Sequence, residues 1–279
     1  MQTPTNGPIR TELRGAVGWI TIARPERFNA LDVATARDLR RAALRMARDE
    51  AVRCVVLRGA HDVFCSGVDL KYVREGGRAE DLAYLAPGAV PTEARSGAIF
   101  KQILEYVNGA ISEIRRAPKP FVAAVEGVAA AGGLGLALSC DLVLASERAS
   151  FEWAYGKTGL SGAESATFLL PRLIGLRGAL DLALLNPRLD AATALQRGLV
   201  SQVLPAEEFE AGVASLATRL AEGPTGALAR MKRLVNRAVG MDALDEHLGA
   251  EVDALVESAD SQEFALGLER FFDRNERAD

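Results

Sequence analysis

Short apolar runs alternate with helical patterns along the first part of the chain. Four runs predict strands, at residues 16–22, 53–57, 121–125 and 142–144. Leu39, Ala43 and Met46 lie at helical spacing after Asp32, which is suited to cap a helix over residues 34–48. Short strands separated by helices are typical of parallel β-α-β units. We therefore expect an α/β core.

The pattern changes towards the end of the chain. Residues 74–96 are rich in glycine and proline and predict a long loop before a helix over 97–116. After Val203 the strand pattern stops, Pro224 opens one predicted helix and residues 242–255 form another. We expect an α/β unit over residues 1–203 and a helical region over 204–279.

Composition narrows the classes of function. The chain has 279 residues and a net charge of −4, and its basic residues are spread along the sequence, so we expect no nucleic-acid partner. Cys54, Cys65 and Cys140 are odd in number and form no CxxC pair, which is typical of a reducing compartment without a disulfide or zinc framework. We expect no metal site.

Targeting and membrane signals are weak. Residues 1–14 contain no apolar core segment, so we expect no secretory signal peptide. The most apolar stretch, residues 121–145, is interrupted by Glu126 and Asp141, so we expect no membrane insertion. A cytoplasmic location follows from these signals together.

Two glycine-containing turns are the candidates for chemistry. One has the sequence FCSGVDL at residues 64–70, and the other has GVAAAGGLG at residues 127–135. Glycines after a strand let backbone N–H groups approach a ligand, and a helix N-terminus adds positive potential for an oxyanion. Each turn alone is as readily a structural junction. A dinucleotide-binding motif is a weak alternative, because Leu138 stands where a third glycine is needed.

Several motifs together resemble the crotonase superfamily, also called the enoyl-CoA hydratase/isomerase family. They are RPERFNAL at 24–31, FCSGVDLK at 64–71, VEGVAAAGGLGLALSCDLVLAS at 125–146, LPRLIG at 170–175 and GLV at 198–200. The likeness runs from about residue 12 to residue 275. It implies an α/β fold, a spiral of repeated ββα units with a helical C-terminal trimerisation region. Homotrimers or dimers of trimers are the assemblies it implies.

The resemblance also implies a site for an acyl-CoA thioester. The backbone N–H groups of Val68 and Gly132 would form the oxyanion hole that grips the thioester carbonyl and stabilises an enolate. CoA would be part of the substrate, with no separate cofactor. The residues that this resemblance and the aromatic pattern place at the substrate or CoA are Arg27, Ser66, Gly67, Asp69, Leu70, Lys71, Gly133 and Trp153. For Arg27 and Lys71, surface salt bridges are the alternative.

Two departures from the family pattern concern its hydratase members. The positions of their two catalytic glutamates correspond to Gly135 and Tyr155 in this chain. Hydration of a conjugated double bond needs acid-base groups that hold and deprotonate water, which glycine and a neutral phenol supply poorly. Ordinary hydratase activity is therefore not the leading expectation.

Glu164 is the remaining candidate acid or base. It lies at the start of the helix that leads to LPRLIG, where similar isomerases and dehalogenases carry a carboxylate, although some relatives place it at Ala163. If it faces an apolar pocket, its pKa should rise and suit proton transfer. A solvated glutamate at a helix N-terminus is the alternative. Tyr155 is expected at the acyl pocket, on a strand-like segment whose one face it shares with Trp153.

These residues favour a CoA-thioester isomerase or a related enolate-forming enzyme, with Glu164 and Tyr155 as catalytic residues. Enoyl-CoA hydratase and dehalogenase-like chemistry are the alternatives within the same class. A non-catalytic acyl-CoA binding protein is a different alternative. The loss of both hydratase glutamates favours that third hypothesis, and the retained Glu164 opposes it.

Overall fold

The computed structural model describes residues 7–82 and 96–276. Its strands are β1 (Ile9–Arg14), β2 (Val17–Ile22), β3 (Cys54–Gly59), β4 (Val63–Cys65), β5 (Phe121–Val125), β6 (Val128–Ala130), β7 (Leu142–Ser146), β8 (Ser150–Glu152), β9 (Arg188–Asp190) and β10 (Gln202–Leu204). Its α-helices are α1 (Val33–Arg48), α2 (Leu70–Arg74), α3 (Ala79–Leu82), α4 (Ser96–Arg116), α5 (Gly132–Leu138), α6 (Ala166–Leu185), α7 (Ala191–Gln196), α8 (Phe209–Glu222), α9 (Thr225–Ala238), α10 (Leu244–Ala259) and α11 (Gln262–Glu276).

The strands form two sheets. The larger has the order β1-β2-β3-β5-β7-β10 and is parallel except for the antiparallel pair β1 and β2. The smaller has the order β4-β6-β8-β9, in which β4, β6 and β8 are parallel and β9 runs antiparallel to β8. The expected α/β fold is confirmed.

The chain passes repeatedly through both sheets. Each passage places one strand in the large sheet, the next strand in the small sheet and then a helix, as in β3-β4-α2 and β5-β6-α5. The pair β7-β8 follows the same order and leads to α6. This repetition is the predicted ββα spiral, and it brings the ends of β4, β6 and β8 side by side.

Both faces of the large sheet are buried, which explains the continuous apolar runs. In β3, Val55 and Leu57 face the main core, while Cys54 and Val56 face a second cluster that is covered by α8. Side chains alternate between the two faces of a strand, so a strand covered on both sides has no polar face. The sheet is therefore a rigid support for the turns that follow its partner strands.

Several predicted boundaries are confirmed and two need correction. Asp32 caps α1, since its carboxylate accepts a hydrogen bond from the Thr35 amide at 2.8 Å. The predicted loop over 74–96 contains the short helix α3, which follows the two glycines of this segment. The rest of the predicted loop, residues 83–95, lies outside the described range. Trp153 and Tyr155 do not lie on a strand, because Ala154 has a left-handed backbone and Tyr155 begins a 3₁₀ turn.

Helices α8 to α11 follow the last described strand, β10, and supply more than an outer layer. Helix α10 packs against α4 and α6, and α11 packs against the 3₁₀ turn Tyr155–Thr158. Across the two described ranges, no helix is long and apolar enough to span a bilayer. The C-terminal helices thereby reach the region where β4, β6 and β8 end.

Candidate active site

Three segments of chemical interest leave neighbouring parallel strands at the same edge of the small sheet. The first glycine turn follows β4, the second follows β6, and the segment from Trp153 to Glu164 follows β8. Ligands of α/β proteins bind outside the carboxyl ends of parallel strands. Strand order alone therefore gathers the residues that the sequence singles out.

The two glycine turns touch each other. A Cβ atom on Gly67 would lie 3.0 Å from the amide nitrogen of Gly132, and one on Gly133 would lie 2.0 Å from the carbonyl oxygen of Cys65. Both distances are too short or nearly too short for a real side chain. Glycine at these positions therefore permits the close approach of the two turns.

The amides of Val68 and Gly132 are free to bind a ligand. Leu31 pairs with the groups on either side of Val68, since its N–H donates to Gly67 and its carbonyl accepts from Asp69. Gly132 is the first residue of α5, where amides lack a partner within the helix. Neither amide donates a hydrogen bond to another residue within the described ranges. The arrangement fits the expected pair of oxyanion donors.

Asp69 fixes the first turn from behind. Its carboxylate accepts hydrogen bonds from Arg24 at 3.0 Å, from Arg27 at 2.5 Å and from the Tyr72 amide at 3.1 Å. Burial raises the pKa of Asp69, but the hydrogen bonds from Arg27 and Tyr72 and the charges of Arg27 and Arg24 outweigh it and leave the pKa below its usual range. These partners hold Asp69 in place, and Asp69 directly follows Val68 in the first turn.

Glu164 is buried beside the second turn. Its side chain points inward and the residue is 1% exposed, in a left-handed backbone conformation with φ of 52°. A Cβ atom on Gly132 would lie 2.5 Å from Glu164 Oε1. The carboxyl group is therefore adjacent to one of the two free amides.

Tyr155 contacts the same carboxyl group. Its hydroxyl donates to Glu164 Oε2 and also lies 3.1 Å from the carbonyl oxygen of Ala163. Burial raises the pKa of Glu164 to about 7, opposed by the Tyr155 hydrogen bond and reinforced by the charge of Glu251. Burial and the neighbouring carboxyl raise the pKa of Tyr155 well above its usual value, so the phenol stays neutral. A carboxyl with a pKa near neutrality is suited to take up and return a proton.

Gly135 has no room for the glutamate that a hydratase carries there. A Cβ atom on Gly135 would lie 2.1 Å from the backbone carbonyl oxygen of Glu164. The segment that carries Glu164 therefore fills the space of the missing side chain. Water activation by a carboxylate at this position is sterically excluded in this structure.

A cavity of about 360 Å³ opens next to these groups. Val68, Ala131, Tyr155 and Glu164 are among its lining residues. Of the residues expected at the substrate or CoA, the cavity is lined by Arg27, Ser66, Asp69, Leu70 and Lys71. Both cations form ion pairs, Arg27 with Asp69 at 2.5 Å and the half-exposed Lys71 with Glu75 at 4.0 Å, as in the salt-bridge alternative.

Four residues expected at the substrate are not among those that line this cavity: Gly67, Gly132, Gly133 and Trp153. Gly132 follows Ala131, which does line it. Gly67 and Gly133 instead lie at the contact between the two turns. Trp153 is buried behind Tyr155, and the centroids of the two rings are 5.0 Å apart. Its ring also packs against Gly162, where an added Cβ atom would lie 2.3 Å from Trp153 Cζ2. Trp153 therefore supports the tyrosine ring from the core.

The sequence pattern missed residues of the C-terminal helices. Leu255 of α10 and Phe271 and Phe272 of α11 line the cavity, and Glu251 of α10 contacts the segment that follows Glu164. Helical periodicity predicts that such residues lie on a buried face of a helix, but it does not predict which element that face contacts. Only the packing of α10 and α11 shows which element they meet.

Comparison with known proteins decides the family. The family model described as enoyl-CoA hydratase/isomerase matches residues 12–93 and 93–278. The chain belongs to the enoyl-CoA hydratase/isomerase family. As a member of this family of acyl-CoA enzymes, it has the unpaired amides of Val68 and Gly132 on neighbouring turns, and their role as oxyanion donors stays a prediction.

Curated relatives of the family carry different reaction names. A probable enoyl-CoA hydratase of Rhodobacter capsulatus is 34% identical over 266 residues, which is 95% of each chain. The 1,2-epoxyphenylacetyl-CoA isomerase of Escherichia coli is 32% identical over 265 residues, 94% of each chain. A 4-chlorobenzoyl coenzyme A dehalogenase of Arthrobacter is 29% identical over 280 residues, 100% of this chain and 95% of the relative. Overall similarity therefore does not select one reaction.

Solved structures agree with the fold. An enoyl-CoA hydratase from Mycobacterium avium subsp. paratuberculosis superposes with a TM-score of 0.82 at 33% identity, over 96% of each chain. An enoyl-CoA hydratase from Bacillus halodurans has a TM-score of 0.81 at 26% identity, over 95% of this chain and all of the other. The ββα spiral is thus shared along nearly the whole chain.

Proposed function

We propose that this family member catalyses proton transfer on an acyl-CoA thioester through an enolate, as in the migration of a double bond. The observation that carries the proposal is the position of Glu164. Its buried carboxyl, with a pKa of about 7, lies beside the free amide of Gly132 and within the cavity that Val68 also lines. A base and an oxyanion site next to each other are what enolate formation requires.

The steps follow from these groups. The thioester carbonyl oxygen accepts hydrogen bonds from the Val68 and Gly132 amides, and ionised Glu164 removes a proton from a carbon of the acyl chain. The C–H electron pair moves towards the carbonyl, whose oxygen takes the negative charge. One oxyanion donor is typically worth about 2.7–4 kcal/mol. Glu164 then returns its proton to a different carbon, which completes the isomerisation.

Tyr155 acts on the carboxyl group in this scheme. Its hydroxyl donates to ionised Glu164, and the neighbouring carbonyl of Ala163 is an alternative acceptor when Glu164 is protonated. A neutral phenol that changes its acceptor in this way stabilises both protonation states. Because its bond to ionised Glu164 opposes the effect of burial on the pKa, it brings the two forms of the carboxyl closer to balance at neutral pH.

The competing reactions make different demands on the same site. Hydration needs a second acid-base group for water, and the space at Gly135 is filled by Glu164's own backbone. Displacement of a halide would use the same ionised carboxyl as a nucleophile and exchanges no acyl proton, so the exchange experiment below distinguishes it from proton transfer. A binding protein without chemistry gives no reason to bury a carboxyl at the oxyanion turn, which is unfavourable in itself.

The test is exchange of acyl protons in heavy water, followed by mass spectrometry, on a panel of 2-enoyl, 3-enoyl and arylacetyl CoA thioesters. Wild type should exchange α- or γ-protons of at least one thioester, and Glu164→Gln should lose the exchange while still binding it. Glu246→Gln, an exposed carboxylate on α10, is the matched control and should keep wild-type exchange. Binding without exchange in wild type would support a carrier, and exchange that survives Glu164→Gln would identify another base.

We also propose that the chain assembles into trimers. Leucine side chains on α6 are exposed in the single chain, among them Leu176 at 67% and Leu184 at 75%, and Leu234 on α9 is similarly exposed. Apolar surface of this kind on a helical layer is favourably buried between subunits. The family resemblance supports the trimer as the assembly that covers it.

A further inference from the structure

The turn that carries Glu164 has an unfavourable backbone. Glu164 and Ser165 are consecutive non-glycine residues with φ of 52° and 66°, in the left-handed region. Left-handed backbone is strained for residues with a side chain, and it persists only where surrounding contacts hold it. Ser165 precedes the first residue of α6, and its side chain makes no hydrogen bond that caps this helix.

Glu251 supplies the missing contacts from α10. Its Oε2 accepts from the Ser165 amide at 2.8 Å, and its Oε1 accepts from the Thr167 amide at 3.0 Å and from the Thr167 hydroxyl. One carboxylate thus holds two amides of the first turn of α6. The side chain is 2% exposed, and it comes from a position 86 residues away from Ser165.

The contacts favour the ionised form of Glu251. Each partner is an N–H or O–H donor, and the N-terminus of α6 contributes partial positive charge. Burial raises the pKa of Glu251 and leaves it above its usual value, although the donors of Thr167 and Ser165 and the nearby His247 act in the opposite direction. His247 lies 2.8 Å from the Thr167 hydroxyl on the outer side.

Few groups face Glu164 itself. The titratable neighbours are Tyr155, which stays neutral, Glu251, and Cys65, whose thiol is neutral because burial raises its pKa to about 12. Glu251 is the one of these three whose hydrogen-bond partners are all donors, which favours its ionised form. Its negative charge opposes ionisation of Glu164.

We propose that Glu251 is a positioning residue for Glu164: it holds the left-handed turn that places the Glu164 carboxyl beside Gly132, and its charge acts on that carboxyl. The inference rests on the proposed function for its kinetic consequence only. The position and titration of Glu164 can be measured without turnover.

Two substitutions separate the parts of this role. In Glu251→Gln the charge is lost and an amide N–H must face one of the two backbone donors, so one contact breaks. In Glu251→Asp the charge is kept but the shorter side chain cannot reach both amides. Glu246→Gln on the same helix is the control, and His247→Asn tests the outer neighbour without touching the Ser165 contact.

The first readout is the titration of Glu164 by NMR of ¹³Cδ-labelled glutamate, assigned from the signal that Glu164→Gln lacks. In Glu251→Gln the midpoint should fall measurably below that of wild type but stay above that of an ordinary carboxyl, because burial of Glu164 remains. In Glu251→Asp and Glu246→Gln it should stay at the wild-type value. This measurement remains decisive if wild type shows no exchange on any thioester. Failure of the proposed function would thus be recognised separately from failure of the positioning role.

The second readout is kinetic. Glu251→Gln and Glu251→Asp should each lower kcat for proton exchange by about 10²-fold, the scale expected for a reacting group displaced by about 1 Å. The Kd for butyryl-CoA should change by less than about threefold, because the oxyanion turns are untouched. His247→Asn should keep its kcat. An unchanged midpoint and unchanged kcat in Glu251→Gln would overturn the proposal, as would an equal loss of binding and kcat in both Glu251 variants.

Discussion

The backbone carbonyl oxygen of Glu164 lies where a side chain on Gly135 would begin. A Cβ atom there would come within 2.1 Å of that oxygen, and one on Gly132 would come within 2.5 Å of the Glu164 carboxyl. Both glycines therefore leave the space that Glu164 needs. The segment that places a carboxylate at position 164 thus also fills the space that a carboxylate side chain at position 135 would need.

Restoring the hydratase residue should therefore fail. Gly135→Glu should not gain hydration of crotonyl-CoA, followed by the loss of absorbance of its conjugated double bond, and should lower the free energy of unfolding. Overpacking of a buried site typically costs about 1–3 kcal/mol. Gly156→Ala is the matched control, because nothing lies within 4 Å of its added Cβ. A stable, hydrating Gly135→Glu variant would contradict the steric argument.

Activity should depend on pH through Glu164. The carboxyl removes a proton only when it is ionised, and burial places its pKa at about 7. The rate of exchange in wild type should therefore rise as pH increases through about 7 and level off above it. Initial rates between pH 5 and pH 9 measure this limb, and a rate that falls across the same interval would assign Glu164 the opposite role.

Stability should change with pH in the opposite sense. The pKa of Glu164 is raised in the folded state, so the folded protein binds the proton more tightly and loses stability as pH rises from the ordinary glutamate range through about 7. Glu164→Gln should be more stable than wild type at pH 8, by on the order of 1–3 kcal/mol. Urea unfolding at pH 5 should show a smaller difference; equal differences at both pH values would argue against a buried ionising carboxyl.

Tyr155→Phe removes a donor to the carboxyl while keeping the ring. Because the Tyr155 hydrogen bond lowers the pKa of Glu164, its loss should raise that pKa further and move the rising limb of the rate profile to higher pH. At neutral pH the exchange rate should fall by about 10-fold or more. A variant with an unshifted limb would mean that the phenol does not donate to Glu164 in solution.

The oligomeric state should depend on the exposed leucine side chains of α6. Wild type should elute with the mass of a trimer in size-exclusion chromatography with light scattering, and Leu176→Glu combined with Leu184→Glu should reduce that mass. Leu13→Glu, on a less exposed leucine of β1, serves as the control. A monomeric wild type would remove the basis of this expectation.

Sequence reasoning was sufficient where local chemistry decides the structure. Glycines after short strands identified the two turns, while the family resemblance singled out the amides of Val68 and Gly132 and the carboxylate of Glu164, whose roles stay predictions. The inward position of that carboxylate depends on a left-handed pair at Glu164 and Ser165, which no residue type there signals. It also depends on Glu251, whose partner Ser165 lies 86 positions earlier in the chain. Long-range packing of this kind leaves no local pattern to read.

The hydrogen bonds from the first turn of α6 to Glu251 also limit how this chain can recombine with its relatives. A recombination crossover between α6 and α10 would join the carboxyl-bearing turn of one parent to the C-terminal helices of another. Where the other parent has no carboxyl at the position of Glu251, the offspring inherits Glu164 without the side chain that holds it in place. Segments carrying residues 135, 164 and 251 must therefore be inherited together, even though they are far apart in the gene.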